Sequence, residues 1–223
     1  MNAIRGVIFD CDGVLFESRQ ANLAYYNTVL EQLGIPPVTA ADRERAHVCH
    51  TAASPRVFEI LLGPDRAEEA LVLARDLDYR RFIPEMIPEP DLQPSLARLA
   101  SRLPLAVATN RGNSMDQILG HFGLRDFFRQ VVTSRDVERP KPYPDMLLRA
   151  AAGLELPCEA LLFIGDSELD RDAARAAGVR FLAYQGKVEG APAVGGHREL
   201  VDWLEGEKGE VAGTRHEALG TRP

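Results

Sequence analysis

Carboxylate side chains that could carry out chemistry stand at two places along the chain. Asp10 and Asp12 are two residues apart directly after an apolar segment, and Asp166 follows another apolar segment with Asp170 one helical turn further on. Four carboxylates gathered in one crevice would repel one another unless a cation held them together. Ligands that are all oxygen and few in number suit Mg²⁺, which keeps several waters and shares the oxygen atoms of a substrate phosphate. The acidic residues therefore predict a magnesium site that handles phosphate.

A hydroxyl group and an ammonium group stand at comparable places. Thr109-Asn110 ends a third apolar segment, and Lys141 lies between two prolines where a helix is predicted to begin. A hydroxyl, a lysine and helix N-termini beside a metal suit a phosphoryl dianion. A carboxylate nucleophile would form an aspartyl phosphate and so split phosphoryl transfer into two easier steps. The second aspartate, Asp12, would serve first as general acid and then as general base.

The elements that must position these side chains alternate between strands and helices. Short apolar runs predict five strands buried on both faces, namely Ile4–Asp10, Leu105–Thr109, Gln130–Thr133, Leu161–Gly165 and Val179–Tyr184. Helical periodicity between the last four strands predicts helices over Leu96–Arg102, Met115–Phe122, Pro144–Gly153 and Asp170–Gly178, with Gly123, Gly153 and Gly178 as left-handed C-caps. Strands joined by crossover helices predict an α/β fold with a parallel sheet and helices on both faces. Because ligands bind beyond the carboxyl ends of such strands, the polar groups should meet there.

One part of the chain interrupts this alternation. Residues 17–88 contain helical patterns without a convincing buried strand, which predicts a helical domain inserted into a core of residues 1–16 and 89–205. The chain would return to the core through the proline-rich segment 83–94, with hinges near Phe16–Arg19 and Pro84–Pro90. A last amphipathic helix is predicted over His197–Leu204, followed by a flexible polar tail at 206–223.

Composition excludes several classes of protein. The chain has 223 residues, of which 45% are hydrophobic and 26% charged, as is typical of soluble globular proteins. A formal charge of −7 argues against a general nucleic-acid or membrane-surface binder, because both need a basic face. No segment is apolar enough for a signal peptide or a membrane span, and the three cysteines have no metal-ligand or redox spacing. We therefore expect a cytoplasmic protein, as a monomer or weak homodimer. Only three of its 26 basic residues are lysines.

Four motifs together resemble those of the haloacid dehalogenase superfamily. They are Asp10-Cys11-Asp12-Gly13-Val14-Leu15, Thr109-Asn110, Lys141-Pro142 and the segment from Gly165 to Asp170. The stretches RPKPYPDMLLRA and DRDAARAAGV resemble the phosphoglycolate phosphatase and β-phosphoglucomutase branch of that superfamily. The resemblance covers residues 4–205. It implies a Rossmann-like core and a mobile helical cap inserted after the first motif.

The resemblance also implies a role for each motif residue. Asp10 is expected to be the nucleophile and Asp12 the general acid and base. Thr109 is expected to bind the phosphoryl oxygens, and Lys141 to balance the charge on nucleophile and phosphate. The expected Mg²⁺ ligands are Asp10, Asp166 and the backbone carbonyl of Asp12, with Asp170 behind them, and Asn110 and Arg111 are expected to contact the substrate.

Differences from other members of the superfamily reduce the number of activities that the resemblance allows. The dehalogenases carry a different residue at the second aspartate, so Asp12 favours phosphoryl transfer. Phosphonoacetaldehyde hydrolases need a cap lysine, and residues 17–88 contain none. The mutases place a histidine ten residues after the second aspartate, where this chain has Asn22, which weakens that alternative. A Mg²⁺-dependent phosphatase acting on a small phosphate ester is the favoured function.

Two questions stay open at the level of sequence. A receiver-like signalling module also combines a phosphoacceptor aspartate with acidic Mg²⁺ ligands, a threonine and a lysine, although the helical insert opposes it. The identity of the phosphate ester depends on the cap, where the candidate substrate contacts are Arg45, His50 and Arg56. Arginine suits a carboxylate or a second phosphate because it binds either in a bidentate manner.

Overall fold

Six parallel strands form the central sheet of the protein. The computed structural model describes residues 3–213. The strand order is β5-β4-β1-β6-β7-β8, and every neighbouring pair is parallel. The bounds are β1 (Gly6–Phe9), β4 (Leu105–Thr109), β5 (Gln130–Thr133), β6 (Leu161–Gly165), β7 (Arg180–Tyr184) and β8 (Ala193–Val194). β1, β4 and β6 are buried along their whole length, as their continuous apolar runs predict.

Helices cover both faces of this sheet. They are α5 (Leu92–Ala100), α6 (Met115–His121), α7 (Asp145–Leu154), α8 (Glu168–Ala177) and α9 (His197–Gly213). Side chains of β1 alternate between two apolar clusters: Val7 and Phe9 pack with residues of α5, α6 and α9, whereas Ile8 packs with residues of α7 and α8. The predicted α/β class, with a Rossmann-like parallel sheet between two helical layers, is confirmed.

Four further helices lie between the first and second strands of the sheet. They are α1 (Arg19–Gln32), α2 (Arg43–Thr51), α3 (Ser54–Leu62) and α4 (Pro64–Asp76). Their buried residues form a separate apolar cluster that contains Tyr26, Val29, Val57 and Phe58. The segments leading in and out pair with each other as a two-stranded antiparallel ribbon of β2 (Phe16–Glu17) and β3 (Ile87–Pro88). This arrangement supports an inserted cap at 17–88, whose movement as a unit stays a prediction.

Several local features differ from the sequence expectations. α2, the β2–β3 ribbon and β8 were not predicted, because each is short or has few apolar residues. Gly178 ends α8 in the left-handed conformation as expected, but Gly153 lies inside α7, which ends at a left-handed Glu155. A β-carbon on Gly153 would lie 2.8 Å from the Gln130 side chain, so a larger residue here would displace the end of that side chain.

The last helix also runs beyond its predicted end. α9 continues past Leu204 to Gly213, so the first part of the predicted tail is helical. The rest of that tail, 214–223, lies outside the described residues. Between residues 3 and 213, no helix has both the length and the apolar character needed to cross a bilayer.

Candidate active site

Three carboxylates meet where neighbouring parallel strands end. Asp10 follows β1, and its backbone N–H donates to the carbonyl of Ile164 in β6 at 2.9 Å. Asp166 follows β6 directly, and Asp170 lies in the first turn of α8. One oxygen from each of the three carboxylates lies within 4.8 Å of the others. The parallel sheet thus brings the predicted acidic residues together at one edge.

Lys141 supplies a buried positive charge to this cluster. Its Nζ lies 2.8 Å from Oδ1 of Asp10 and 2.6 Å from Oδ1 of Asp170. Burial alone would lower the pKa of Lys141, but the two carboxylates outweigh it and raise that pKa. The side chain of Asn110 holds Lys141 in place: its Oδ1 accepts from the Lys141 N–H at 3.0 Å and its Nδ2 donates to the Lys141 carbonyl at 3.2 Å.

Asn110 also links the loop after β4 to the inserted helices. Its Nδ2 also donates to the carbonyl of Thr51 in the cap at 3.0 Å. Both polar atoms of the amide are therefore engaged with backbone, so Asn110 positions Lys141, and its contact with substrate stays a prediction. Thr109, the last residue of β4, is buried, and its Oγ1 accepts from the Arg111 N–H at 3.2 Å.

Asp170 organises the turn that carries Asp166. One of its oxygens pairs with Lys141, and the other accepts from Ser167 Oγ at 2.6 Å, from Ser167 N–H at 3.1 Å and from Asp166 N–H at 3.2 Å. Ser167 and Asp170 form a capping box at the start of α8. Because both oxygens of Asp170 have partners, Asp10 and Asp166 are the better candidates for direct metal ligands, with Asp170 behind them.

Asp12 lies in a buried network that joins the core to the cap. Its Oδ1 accepts from Arg111 Nη2 at 2.5 Å, from Asn22 Nδ2 at 3.1 Å and, at shorter range, from Ser18 Oγ. Burial would raise the pKa of Asp12, but the charge and the hydrogen bond of Arg111 outweigh it and lower that pKa. Asp12 is therefore held in its ionised form in this conformation.

Arg111 is itself enclosed by the cap. Its Nη2 donates to Asn22 Oδ1 at 2.7 Å, and its guanidinium lies 5.0 Å from the ring centroid of Tyr79. Tyr79 donates to the same Asn22 oxygen at 3.2 Å. The Nε of Arg111 is buried and has no hydrogen-bond partner. Arg111 thus keeps one unused donor inside a network that spans the two parts of the chain.

The acidic cluster fits a small divalent cation. Burial raises the pKa of Asp10 well above its ordinary value, and burial together with Asp170 raises that of Asp166 to about 6. The three carboxylates repel one another, and Lys141 is the cation that pairs with two of them, Asp10 and Asp170. A divalent cation would offset the remaining repulsion, and an all-oxygen donor set suits Mg²⁺.

Comparisons with known proteins identify the family. The family described as haloacid dehalogenase-like hydrolase matches residues 7–184 of the chain. The chain belongs to this family. A phosphoglycolate phosphatase of Salmonella paratyphi A is 32% identical, in a match that covers 78% of this chain and 79% of that protein. The prediction of a haloacid dehalogenase-like phosphatase is confirmed at this level.

Solved structures of haloacid dehalogenase-like proteins share the fold. A subfamily IA, variant 1 hydrolase from Geobacter sulfurreducens has a TM-score of 0.79 at 40% identity and covers 90% of this chain and 100% of its own. The β-phosphoglucomutase of Clostridium difficile has a TM-score of 0.78 at 17% identity and covers 94% and 99% of the two chains. The second likeness shows a shared fold alone.

Of the three cap residues predicted to contact substrate in this haloacid dehalogenase-like hydrolase, one lies beside the acidic cluster. His50 reaches the site, with Nε2 4.0 Å from Asp166 Oδ2 and Nδ1 3.4 Å from Asn22 Nδ2. Arg45 and Arg56 are placed elsewhere: Arg45 pairs with Asp42, and Arg56 pairs with Glu59 on its own helix with 62% of its side chain exposed. The structure does not bring these two arginines to the site.

Sequence reasoning missed four residues that contact the site. Ser18, Asn22 and Tyr79 complete the network around Asp12 and Arg111, and Lys187 donates to Asp166 Oδ2 at 3.2 Å. The sequence pattern marks Asn22 only as the residue at the position of the mutase histidine. The rarity of lysine in this arginine-rich chain was the available signal for Lys187.

Proposed function

We propose that this protein is a Mg²⁺-dependent phosphatase that hydrolyses a small phosphate monoester through an aspartyl phosphate on Asp10. The observation that carries the proposal is the cluster of Asp10, Asp166 and Lys141 at the carboxyl ends of parallel strands. Lys141 Nζ lies 2.8 Å from Asp10 Oδ1, and the oxygens of Asp10 and Asp166 are close enough to share one cation. Asp10 and Asp166 would hold Mg²⁺, together with the backbone carbonyl of Asp12.

The residues of the core divide the reaction between them. Asp10 attacks the phosphorus atom, and Lys141 keeps positive charge beside both the nucleophile and the transferred group. When held by Asp10 and Asp166, Mg²⁺ would neutralise negative charge on the phosphoryl oxygens and on the two carboxylates. The buried hydroxyl of Thr109 donates to a phosphoryl oxygen. These contributions are electrostatic and positional, as phosphoryl transfer requires.

Asp12 handles the proton in both half-reactions. It protonates the departing alkoxide and then deprotonates the water that hydrolyses the aspartyl phosphate. Arg111 pairs with Asp12 in this conformation and lowers its pKa, so Asp12 is a poor acid until the guanidinium finds another partner. An anionic group on the substrate would provide that partner.

Arg111 therefore favours substrates that carry a second anionic group. It is buried, it has one unused donor on Nε, and it binds carboxylates in a bidentate manner when released. The relatives named phosphoglycolate phosphatases support such a substrate, because phosphoglycolate carries a carboxylate besides its phosphate. We place phosphoglycolate and similar phosphorylated carboxylates first among the candidates.

The alternative functions have less support. A mutase of the β-phosphoglucomutase kind needs the hinge histidine, and here Asn22 is engaged with Asp12, Arg111 and Tyr79. A receiver-like module has no inserted helices, whereas four lie between β2 and β3 in this chain. The three cysteines are all free thiols, which supports the proposed cytoplasmic location.

The test is hydrolysis of a panel of phosphate esters with and without metal. Chelation should abolish phosphate release, and added Mg²⁺ should restore it. Phosphorylated carboxylates should have a higher kcat/KM than sugar phosphates, nucleotides and p-nitrophenyl phosphate. Acetyl phosphate with Mg²⁺ separates the receiver-like alternative, since a switch would keep a long-lived acyl phosphate. Full activity in excess chelator would contradict the proposal.

A further inference from the structure

We propose that Lys187 is a built-in competitor of the metal ion, a role that rests on the proposed metal site at Asp10 and Asp166. Its ammonium group holds the carboxylate of Asp166, and it must give up that contact when a divalent cation binds. Lys187 thereby sets how much Mg²⁺ the protein needs.

The position of Lys187 places its charge on the metal-binding segments. Its Nζ lies 3.2 Å from Asp166 Oδ2 and 3.1 Å from the carbonyl oxygen of Gly13. Asp166 follows β6, and Gly13 belongs to the loop after β1 that also carries Asp12. The ammonium therefore bridges the two loops that would hold the ion, and it donates to oxygen atoms of the type that Mg²⁺ prefers.

The path of the chain after β7 directs Lys187 to this position. Gln185 and Gly186 both have positive φ, at 54° and 65°, so the chain turns sharply directly after Tyr184. Gln185 is held in this turn by its Nε2, which donates to Glu89 Oε2 at 2.9 Å. The turn is thus anchored to the core, and Lys187 extends from a defined point toward Asp166.

Each of the four carboxylates at the site has a cationic side chain beside it. Lys141 contacts Asp10 and Asp170, and Arg111 contacts Asp12, but neither reaches Asp166. Asp166 has Lys187 at 3.2 Å, with His50 at the edge of ion-pair distance at 4.0 Å. Lys187 is therefore the cation that pairs with Asp166, the carboxylate that Lys141 and Arg111 do not contact.

The same pairing opposes metal binding. A divalent ion on Asp166 would lie within a few ångströms of the ammonium, and two cations on one carboxylate repel each other. The Lys187 side chain is 29% exposed and flexible, so it can swing into water at small cost. Lys187 is thus both a substitute for the ion and a group that the ion can displace.

Isothermal titration calorimetry with MgCl₂ alone, on the full-length metal-free protein, tests this role without any substrate. The variants Lys187→Met and Lys187→Gln remove the charge with two different side chains, and Lys187→Arg keeps it. Arg175→Met, at the other end of α8 with 80% of its side chain exposed, removes one positive charge away from the cluster as a matched control. Circular dichroism verifies that each variant is folded.

The two uncharged variants should bind Mg²⁺ about five-fold more tightly than the wild type, the gain expected from losing one partly exposed ion pair. Lys187→Arg and Arg175→Met should bind with wild-type affinity. Equal affinity in all variants would overturn the competitor role of Lys187 and leave the proposed metal site intact. Weaker binding in the uncharged variants would also overturn that role, because it would show that Lys187 positions Asp166 for the ion. If no variant and no wild-type protein bound Mg²⁺, the metal site of the proposed function would be wrong, and the competitor role with it.

Discussion

The guanidinium of Arg111 lies 2.5 Å from the carboxylate of Asp12, and both side chains are at least nine-tenths buried. The pair joins the loop after β4 to the loop after β1, and Asn22 and Tyr79 of the inserted segment surround it. A buried ion pair of this kind contributes little net stability, but removing one partner leaves the other charge buried and alone. Arg111 is therefore expected to affect both stability and substrate selection.

Arg111→Ala should lower the free energy of unfolding by about 3 kcal/mol, because Asp12 would be left without its cation. It should also raise KM for a phosphorylated carboxylate far more than for p-nitrophenyl phosphate, which lacks the second anionic group. Urea denaturation and steady-state kinetics measure the two effects. Arg56→Ala, which removes an exposed arginine of the cap, is the matched control and should change neither.

The double variant Arg111→Ala/Asp12→Asn separates the two roles of Arg111. It should recover most of the lost stability, because the unpaired charge is gone, while its activity stays low. Equal increases of KM on both substrates would contradict a role for Arg111 in recognising the second anionic group.

Gly13 is required by the position of Asp166. Its φ is +72°, and a β-carbon there would lie 1.9 Å from Asp166 Oδ2. Gly13→Ala must therefore displace the carboxylate and should reduce kcat/KM at least about a hundred-fold, the effect of misplacing a group by about 1 Å. Gly34→Ala is the control, since Gly34 has a similar φ of +67° with no atom near its β-carbon. It should cost only about 1 kcal/mol of stability and leave activity intact; comparable activity losses in both variants would contradict this reading.

The sequence predicted the sheet better than the inserted segment. β4, β5 and β6 have the bounds that their apolar runs predicted, because strands buried on both faces leave a continuous apolar signal. α2 gave no such signal, since Cys49 is its single fully buried residue. The ribbon of β2 and β3 depends on pairing between residues distant in sequence, which no local pattern records.

The candidate site was predictable where motifs end strands and unpredictable where the cap closes over them. Asp10, Asp166 and Lys141 meet because the parallel sheet aligns the ends of its strands. The contacts of Ser18, Asn22 and Tyr79 depend on how the inserted helices are oriented, and that orientation is set by tertiary packing. Arg45 and Arg56 were expected near the substrate for their charge alone, which does not distinguish a site residue from an exposed helix surface.

His197 should make the protein less stable in mild acid. It is buried, its Nε2 lies 2.7 Å from the carbonyl of Val14, and burial lowers its pKa from 6.5 to about 4. Above pH 6.5 the ring is neutral in both states. Between pH 6.5 and 4 the unfolded chain binds a proton that the folded protein does not, so stability falls as the pH falls.

His197 should lower the free energy of unfolding by about 2 kcal/mol when the pH falls from 7 to 5. Urea denaturation of wild type and His197→Gln at both pH values measures it, and the variant should lose about that much less on acidification. His121→Gln, at an exposed histidine, serves as the control and should behave like the wild type. The same pH dependence in wild type and His197→Gln would show that the ring is not held neutral.

The central claim is that Asp10 carries the phosphoryl group during turnover. The most direct measurement is rapid acid quenching during hydrolysis of a phosphate ester, followed by peptide mass spectrometry of the wild type, Asp10→Asn and Asp12→Asn. One phosphoryl group should be found on Asp10 in the wild type. With p-nitrophenyl phosphate, whose leaving group departs without a proton, it should accumulate in Asp12→Asn, because hydrolysis of the aspartyl phosphate loses its general base. It should be absent from Asp10→Asn, which should be folded and inactive. A folded Asp10→Asn protein that turns over at the wild-type rate, or quenched wild-type protein without phosphorylated Asp10, would contradict the mechanism.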